Sequence, residues 1–351
     1  MERRLTKDGQ LSRRRVLSLA GAVASPAIPR LVRGNVASAA EAAEIRIAVQ
    51  FGIVYLPLLV IQEQRLIEAV ARDSGLPPPT VSWLKFSGGA AMNDAVISGS
   101  LDMGAAGVPP VLTAWDRTRG TMGIKAVAPL ASVPSWLLTN RPEVATVRDF
   151  GPDDRIAVPS AKVSFQAIML QMAAEQAFGE SEFARLDPLT VSLDHPDATT
   201  ALMGGHAAIT AHFSNPPFQQ EELAHPGVHR VLSSYDILGG PHSSALLYAT
   251  SRFRDANPHL VAAVIGALER ADAFIAGNPR AAAELYIRSE GSHLSADFVE
   301  GLLRDTTNRF TTEPENIMTF AKFQHHTGQI KVSPAEWRDV FFPELTAKAG
   351  S

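Results

Sequence analysis

Short apolar strands alternate with amphipathic helices from residue 45 onward, and this alternation limits the fold more than any other feature of the chain. The first strand-like segments are residues 45–49, 81–86, 101–106 and 124–130. Helical spacing of apolar residues, introduced by Pro or Gly, follows each of the first three. Parallel strands need a crossover connection, usually a helix, to return the chain to the same end of the sheet. The alternation therefore predicts an α/β fold with a mostly parallel sheet and flanking helices.

The same pattern restarts after residue 150. Its strand and helix segments are residues 156–158, 163–178, 189–193, 207–211 and 228–232. Extended segments at 136–139 and 245–249 lie where the chain would leave and re-enter the first unit. We therefore expect two similar α/β lobes without a strict sequence repeat, joined by two strands. The predicted first lobe is discontinuous, residues 45–137 plus 245–345, and the second lobe is residues 138–244.

Residues 1–39 have the features of a twin-arginine export signal. The motif SRRRVL at 12–17 precedes a soft apolar run at 18–29, and Ala-Ser-Ala at 37–39 resembles a cleavage site. The run is shorter than the ~20 apolar residues of a transmembrane helix. A mitochondrial presequence would form an amphipathic helix, whereas residues 16–27 are apolar or small all round. The segment predicts export to the periplasm, and no later segment is long and apolar enough to be inserted in a membrane.

Charge and cysteine content exclude several classes of function. Residues 1–39 hold eight of the 32 basic and two of the 36 acidic residues, so the rest carries 24 against 34, a net charge of −10. Such acidity argues against nucleic acid or an anionic membrane as a partner. The absence of cysteine excludes disulfides, thiolate metal sites, a cysteine nucleophile and a lipoprotein anchor. The acidic pairs at 153–154 and 221–222 are predicted to be solvated. We also expect the protein to be a monomer.

Loops at the carboxyl ends of the predicted strands are rich in Gly, Ser, Asn and aromatic residues. Ligands bind beyond these ends in open parallel sheets, and loops that open helices present free N–H groups and the positive end of the helix dipole. Each residue by itself also fits a turn or a helix cap, but together the loops predict a pocket for a small anion. The predicted binding residues in these loops are Gln50, Phe51, Gly52, Ser87, Gly88, Gly89, Gly107, Ser160, Ser164, His195, His212, Phe213 and Asn215.

Three further residues complete the predicted site. Tyr55 and Trp136 are aromatic residues near these loops, where they serve either the core or contact with a ligand ring. Lys162 is either a cation inside the pocket or a solvated residue at a helix end, and the sequence leaves both interpretations open.

Neither a metal site nor a catalytic motif is predicted. His206 and His212 lie six residues apart across a predicted strand, and His325 and His326 are adjacent. Neither pair has the i, i+4 spacing with which a helix binds zinc. The chain also lacks a G-x-S-x-G elbow, a Walker loop and a G-x-G-x-x-G after a strand. We therefore expect a protein without cofactor, metal or catalytic residues.

Several segments together resemble the periplasmic solute-binding proteins of ABC importers, in the nitrate, sulfonate, taurine and bicarbonate group. The matching segments are residues 85–95, 98–102, 107–110, 154–159, 195–198, 209–213 and 278–282. The resemblance implies the two-lobed type II architecture, with two parallel-rich sheets, a two-strand hinge and a cleft that closes over the ligand. It also implies docking on a permease driven by an ATPase. Gly52, the loop 87–89, Gly107 and, in the second lobe, Ser160, Ser164, His195 and residues 212–215 match the family's cleft positions.

Alternatives to an anion receptor for import remain at this point. One is a receptor for a thiamin-pyrimidine-like ligand or another aromatic ligand, whose ring would stack on Tyr55 or Trp136. Another is an enzyme of the same fold, although the related enzymes use a cysteine-rich segment that this chain lacks. A binding protein that serves a sensor instead of an importer would have the same sequence features.

Overall fold

Ten strands form two five-stranded sheets in the computed structural model, which describes residues 41–205 and 208–351. The strands are β1 (Glu44–Val49), β2 (Thr80–Lys85), β3 (Met103–Ala106), β4 (Ile124–Ala131), β5 (Trp136–Thr139), β6 (Ile156–Val158), β7 (Thr190–Ser192), β8 (Ala211–Ser214), β9 (His229–Ser233) and β10 (Ala245–Thr250). The strand order is β2-β1-β3-β10-β4 in the first sheet and β7-β6-β8-β5-β9 in the second. The export signal predicted at residues 1–39 lies outside the described residues.

Each sheet has one strand that runs against the others. In the first sheet β1 pairs in parallel with β2 and β3, whereas β10 is antiparallel to β3 and β4. In the second sheet β6 pairs in parallel with β7 and β8, whereas β5 is antiparallel to β8 and β9. The antiparallel strand is in both cases the fourth in the order, so the two sheets have the same plan.

Thirteen α-helices flank the two sheets within the described residues. They are α1 (Leu56–Gln64), α2 (Leu66–Asp73), α3 (Gly89–Ile97), α4 (Val108–Thr118), α5 (Phe165–Phe178), α6 (His195–Met203), α7 (Phe218–Leu223), α8 (Ser234–Leu238), α9 (Ser251–Ala256), α10 (Pro258–Gly277), α11 (Pro279–Glu290), α12 (Ala296–Arg304) and α13 (Ile317–His326). Short 3₁₀ helices are Ile53–Tyr55, Val147–Asp149, Glu180–Glu182, Asp187–Leu189, Trp337–Val340 and Pro343–Leu345. No helix in the described part of the chain combines the length and apolar character needed to cross a bilayer.

We call the first sheet with α1–α4 and α9–α13 the first lobe, and the second sheet with α5–α8 the second lobe. The chain crosses between them from β4 to β5 and again from α8 to β10. Apolar residues of both lobes share one large buried cluster, and residues 40–351 form one compact unit. The lobe boundaries at 137/138 and 244/245 therefore stay a prediction.

One buried polar pair lies in the core of the first lobe. Tyr248 on β10 is fully buried, and its hydroxyl donates a 2.6 Å hydrogen bond to Oδ1 of Asn93 on α3. Gly104 on β3 makes room for the ring, because a Cβ there would lie 2.7 Å from the Tyr248 ring. Pairing of this kind offsets the cost of removing a hydroxyl from water.

One strand differs from the sequence prediction. Residues 207–211 were predicted to be a strand, but in the described part of the chain β8 is Ala211–Ser214 and pairs with Ile156 and Ala157 of β6. The strand carries the polar residues His212 and Ser214, which suited a loop in the sequence. They are fully buried because the Glu222 carboxylate receives hydrogen bonds from both. That partner lies on another element, so the local pattern did not indicate it.

Candidate functional site

A cavity lies between the two lobes, where the parallel strands end. It is small: the space that can hold the centre of a water-sized sphere is about 30 Å³, which is room for a small solute. Its walls come from both lobes, so this edge of each sheet faces the other across a cleft, as expected for ligand sites in α/β sheets. Nine of the predicted residues line it: Gln50, Phe51, Tyr55, Ser87, Gly89, Gly107, Ser164, His195 and Asn215.

Four helices begin at this cavity, α3 and α4 from the first lobe and α5 and α6 from the second. Gly88, Gly107 and Ser164 are the N-cap residues of α3, α4 and α5. First-turn N–H groups have no partner within their own helix, and the positive end of each dipole lies there. The Ser164 Oγ accepts a 3.3 Å hydrogen bond from the Ala167 amide, which leaves the hydroxyl proton available. The cavity therefore has donors on both sides.

Positive side chains do not contribute to the cavity wall. None of the lining residues is Lys or Arg, and only Tyr55 and His195 are ionisable. Burial raises the pKa of Tyr55, so its hydroxyl stays neutral. The electrostatics of the cavity therefore depend on helix dipoles, neutral donors and the protonation state of His195.

His195 is one end of a buried hydrogen-bonded chain. Gln166 Nε2 lies 3.2 Å from His195 Nε2, and His195 Nδ1 lies 2.8 Å from His212 Nε2. His212 Nδ1 in turn lies 2.6 Å from Oε1 of Glu222. The ring of His195 also stacks on Phe218, with 5.7 Å between centroids. Burial, and secondly the neighbouring His212, lower the pKa of His195 well below its usual value.

The other end of the chain is a carboxylate removed from water. Glu222 is fully buried, although the sequence predicted a solvated residue. Its Oε1 also accepts from the hydroxyls of Thr199, at 2.5 Å, and Ser214, at 3.3 Å. Its Oε2 has no hydrogen-bond partner. Asp154, likewise predicted to be solvated, is buried and accepts from the Thr210 hydroxyl at 2.9 Å.

Glycines allow the two lobes to approach each other closely. A Cβ on Gly107 would lie 2.5 Å from Cβ of Phe165, and a Cβ on Gly88 would overlap Oγ of Ser160. Gly52 has a φ of +106° and lies against Asn215. The next residue along the chain, Ile53, donates its amide to the carbonyl of Pro216 at 3.0 Å. Gly52, Gly88 and Ser160 thus lie at the contact between the lobes and not among the lining residues.

Two ion pairs also cross between the lobes, and both use histidine. His293 Nε2 lies 2.8 Å from Oε1 of Glu221 on α7, and His326 Nε2 lies 2.7 Å from Oε2 of Glu175 on α5. Within residues 41–205 and 208–351, the other salt bridges lie inside one lobe. These two contacts therefore connect the lobes outside the cavity.

Besides Gly52, Gly88 and Ser160, four more of the predicted residues do not line the cavity. Side chains alternate across a strand, so Phe213 is buried on the face of β8 opposite to His212, in the large apolar cluster. His212 lies behind His195 and not in the wall. Trp136 packs on the small second cluster of the second lobe, with the Arg230 guanidinium 5.1 Å from its ring. Lys162 is exposed in a separate groove, which corresponds to the solvated alternative.

Seven lining residues were not predicted. They are Val54, Pro110, Ser135, Pro159, Phe165, Gln166 and Ser244. Ser135 and Ser244 directly precede β5 and β10, the antiparallel strands. An antiparallel strand enters the sheet at the edge where its parallel neighbours end, so the residue before it lies beside their carboxyl ends. Recognising 136–139 and 245–249 as antiparallel strands would have indicated both serines.

No protein-family model matches the chain, and no curated protein matches its sequence. Solved structures do match its fold. The alkanesulfonate-binding protein SsuA from Xanthomonas axonopodis pv. citri, bound to MOPS, has a TM-score of 0.65 and 20% identity, over 88% of this chain and 99% of that one. The periplasmic nitrate-binding protein NrtA from Synechocystis PCC 6803 has a TM-score of 0.69 and 12% identity, over 88% of each chain.

A Candida albicans gene product with the generic periplasmic binding protein structural fold has a TM-score of 0.62 and 14% identity, over 85% of this chain and 96% of that one. These similarities define the class: the chain has the periplasmic binding protein fold, with two mixed sheets and flanking helices. The predicted fold class is confirmed. The predicted resemblance is confirmed at the level of the fold.

Proposed function

We propose that the protein is the solute-binding component of an importer and captures a small anion between its two lobes. The observation that carries this proposal is the meeting of four helix N-termini, two from each lobe, at one cavity without a lysine or arginine in its wall. Fixed dipoles and N–H groups stabilise an anion there even though the chain is acidic overall. The fold shared with an alkanesulfonate-binding and a nitrate-binding protein supports the same class of ligand.

Binding at this place favours closure of the lobes. An anion that contacts both α3 and α5 interacts with the closed form better than with an open form, so it shifts the population toward closure. Changing an equilibrium from 1:99 to 99:1 takes ~5.5 kcal/mol of differential affinity. Charge-assisted hydrogen bonds contribute about 1.5–3 kcal/mol each, so a few of them on each side are sufficient.

The remaining elements of the proposal concern location and partners. Residues 1–39 direct export by the twin-arginine route, and the mature protein acts in the periplasm as a monomer. The closed form docks on a permease that an ATPase drives. The protein acts as a receptor in this proposal, which is supported by the binding proteins among the solved structures that share its fold.

The test combines thermal unfolding with X-ray scattering of residues 40–351. Nitrate, methanesulfonate and taurine are each added in an amine buffer, because sulfonate buffers are themselves potential ligands. At least one anion is expected to raise the melting temperature and to reduce the radius of gyration, since ligands that bind the folded, closed form stabilise it. Matching sodium chloride samples control for ionic strength. If none of these solutes, nor a longer alkanesulfonate, changes either quantity, the proposal is wrong.

A further inference from the structure

The hydrogen bonds that join Gln166, His195, His212 and Glu222 all donate in the same direction, toward Glu222. The Gln166 amide nitrogen donates to His195 Nε2, so His195 carries its proton on Nδ1 and donates it to His212 Nε2. His212 then carries its proton on Nδ1 and donates to Glu222. Two neutral imidazoles thus lead to one carboxylate. These four hydrogen-bonded side chains together have a net charge of −1. They lie directly behind the cavity wall.

Such a charge is unfavourable both for the protein and for an anionic ligand. Glu222 is fully buried, and its Oε2 lacks a partner. A buried carboxylate is stabilised when a positive group joins its network. Of the two ionisable residues in the cavity wall, His195 alone can carry a positive charge.

We propose that the protein takes up one proton together with its anion, and that His195 holds this proton through its connection to His212 and Glu222. This inference rests on the proposed function and specifies the class of ligand: an anion bound with charge compensation from the protein. The proton comes from solvent and binds at Nε2 of His195. Gln166 then either turns its amide to accept from Nε2 or gives this donor up to the anion.

The groups that face His195 support this assignment. From β8 and α7 come His212 and, through it, Glu222, and from α5 comes the neutral Gln166. On α6 itself Asp194 caps the helix by accepting from the Asp197 amide at 3.1 Å. Burial, and secondly His212, lower the pKa of His195, so the empty site is neutral at pH 7 and the anion supplies the field that favours protonation.

A neutral empty site has a measurable consequence. When one proton binds with the ligand, the observed affinity falls about tenfold for each pH unit above the pKa of the empty site. Nitrate and methanesulfonate are anions of strong acids and do not titrate in this range. Any proton uptake that accompanies their binding therefore belongs to the protein.

Calorimetric titration tests the inference. Nitrate or methanesulfonate is titrated at pH 8 in amine buffers of different ionisation enthalpy, and the slope of the observed heat against that enthalpy gives the number of protons taken up. About one proton per anion is expected for the wild type. The same measurement on H293Q/H326Q excludes the two cross-lobe histidines as the source, and about one proton is expected there also.

Variants show whether proton uptake comes from the hydrogen-bonded side chains His195, His212 and Glu222 or from another group. Glu222→Gln keeps the shape of the side chain and removes its charge, so proton uptake should be lost and the affinity should become nearly independent of pH. His225→Gln changes a half-buried histidine of the second lobe outside the cavity and should behave like the wild type. If Glu222→Gln does not fold, the ¹⁵N signal of His195 Nε2 in the wild type must change to that of a protonated nitrogen when the anion is added.

Two results would overturn the inference. Tight binding without proton uptake, or with an unchanged His195 signal, contradicts the proton-linked mechanism and leaves the proposed function in place. Absence of binding for every anion tested contradicts both. The two failures are therefore distinguishable in one experiment.

Discussion

His293 and Glu221 face each other across the gap between the lobes, with 2.8 Å between Nε2 and Oε1. The histidine follows α11 in the first lobe, and the glutamate lies on α7 in the second. His326 and Glu175 make the same kind of contact, 2.7 Å long, between α13 and α5. Each contact joins a side chain of the first lobe to a side chain of the second, so both contacts hold the lobes together.

Removing both contacts should favour opening. Loss of two exposed contacts, at about 0.2–1 kcal/mol each, lowers the closed population a few-fold. The measurement is the radius of gyration of the ligand-free protein by X-ray scattering, at low salt, where such pairs are screened least. H293A/H326A should have a larger radius of gyration than the wild type. An equal radius in both would show that these contacts do not control closure.

Gly107→Ala should weaken anion binding. The added Cβ would lie 2.5 Å from Cβ of Phe165 and would hold the two lobes apart. Overpacking costs about 1–3 kcal/mol, which corresponds to a loss of about one to two orders of magnitude in affinity by calorimetry. Gly151→Ala is the control, because nothing lies within 4 Å of its added Cβ. Unchanged affinity in Gly107→Ala would contradict close approach of the lobes in the bound form.

Ser164→Ala should reduce both stability and affinity. Its Oγ caps α5 through the Ala167 amide, and its hydroxyl lines the cavity. Ser295→Ala is a matched control, since its Oγ caps α12 through the Phe298 amide at 3.2 Å outside the cavity. Each loses a cap worth about 0.5–2 kcal/mol in chemical unfolding. A fall in anion affinity is expected for Ser164→Ala alone, and a similar fall in Ser295→Ala would mean that lost stability explains both.

Asp272→Asn should stabilise the protein at alkaline pH. Burial, and secondly the nearby Glu269, raise the pKa of Asp272 to about 7. The folded-state pKa lies above that of the unfolded chain, so the contribution of this group to stability is greatest below about pH 4 and is lost as the pH rises through 7. At pH 8 the variant should gain about 1–2 kcal/mol, less than the full shift implies, because water screens a partly exposed carboxyl.

Thermal melts at pH 5 and pH 8 measure this effect. The melting temperature of Asp272→Asn should exceed that of the wild type at pH 8, with little difference at pH 5. Asp153→Asn is the control, because Asp153 is exposed. A gain of the same size at both pH values would show that the effect does not come from ionisation of Asp272.

The order of strands and helices was predictable because it depends on local pattern. The strand at 45–49, Pro57 near the start of α1 and the glycines before α3 and α4 act within a few residues of chain, and the structure contains each of these elements. Parallel pairing followed from the helical connections. The rule that ligands bind beyond the carboxyl ends of strands then placed Gly89, Gly107 and Ser164 at the cavity.

The buried polar network was not predictable in this way. Glu222 was predicted to be solvated and His212 to lie in a loop, because each is polar and its sequence neighbours give no sign of a partner. Their mutual hydrogen bond of 2.6 Å, and that of His212 with His195, join α7, β8 and α6. Whether a polar side chain is buried depends on whether a partner reaches it, and only the packing of separate elements supplies that partner.

The sequence by itself determined the alternation of elements, and with it the class of fold and the edge of each sheet at which the cavity lies. Backbone sterics and apolar periodicity act over short distances, so they are readable along the chain. Tertiary structure decided which of the loop residues meet: Ser135 and Ser244 entered the cavity, while Phe213 and Trp136 packed elsewhere. The two lobes face each other through contacts between residues more than 100 positions apart, such as Ile53 and Pro216. No local sequence pattern indicates such contacts.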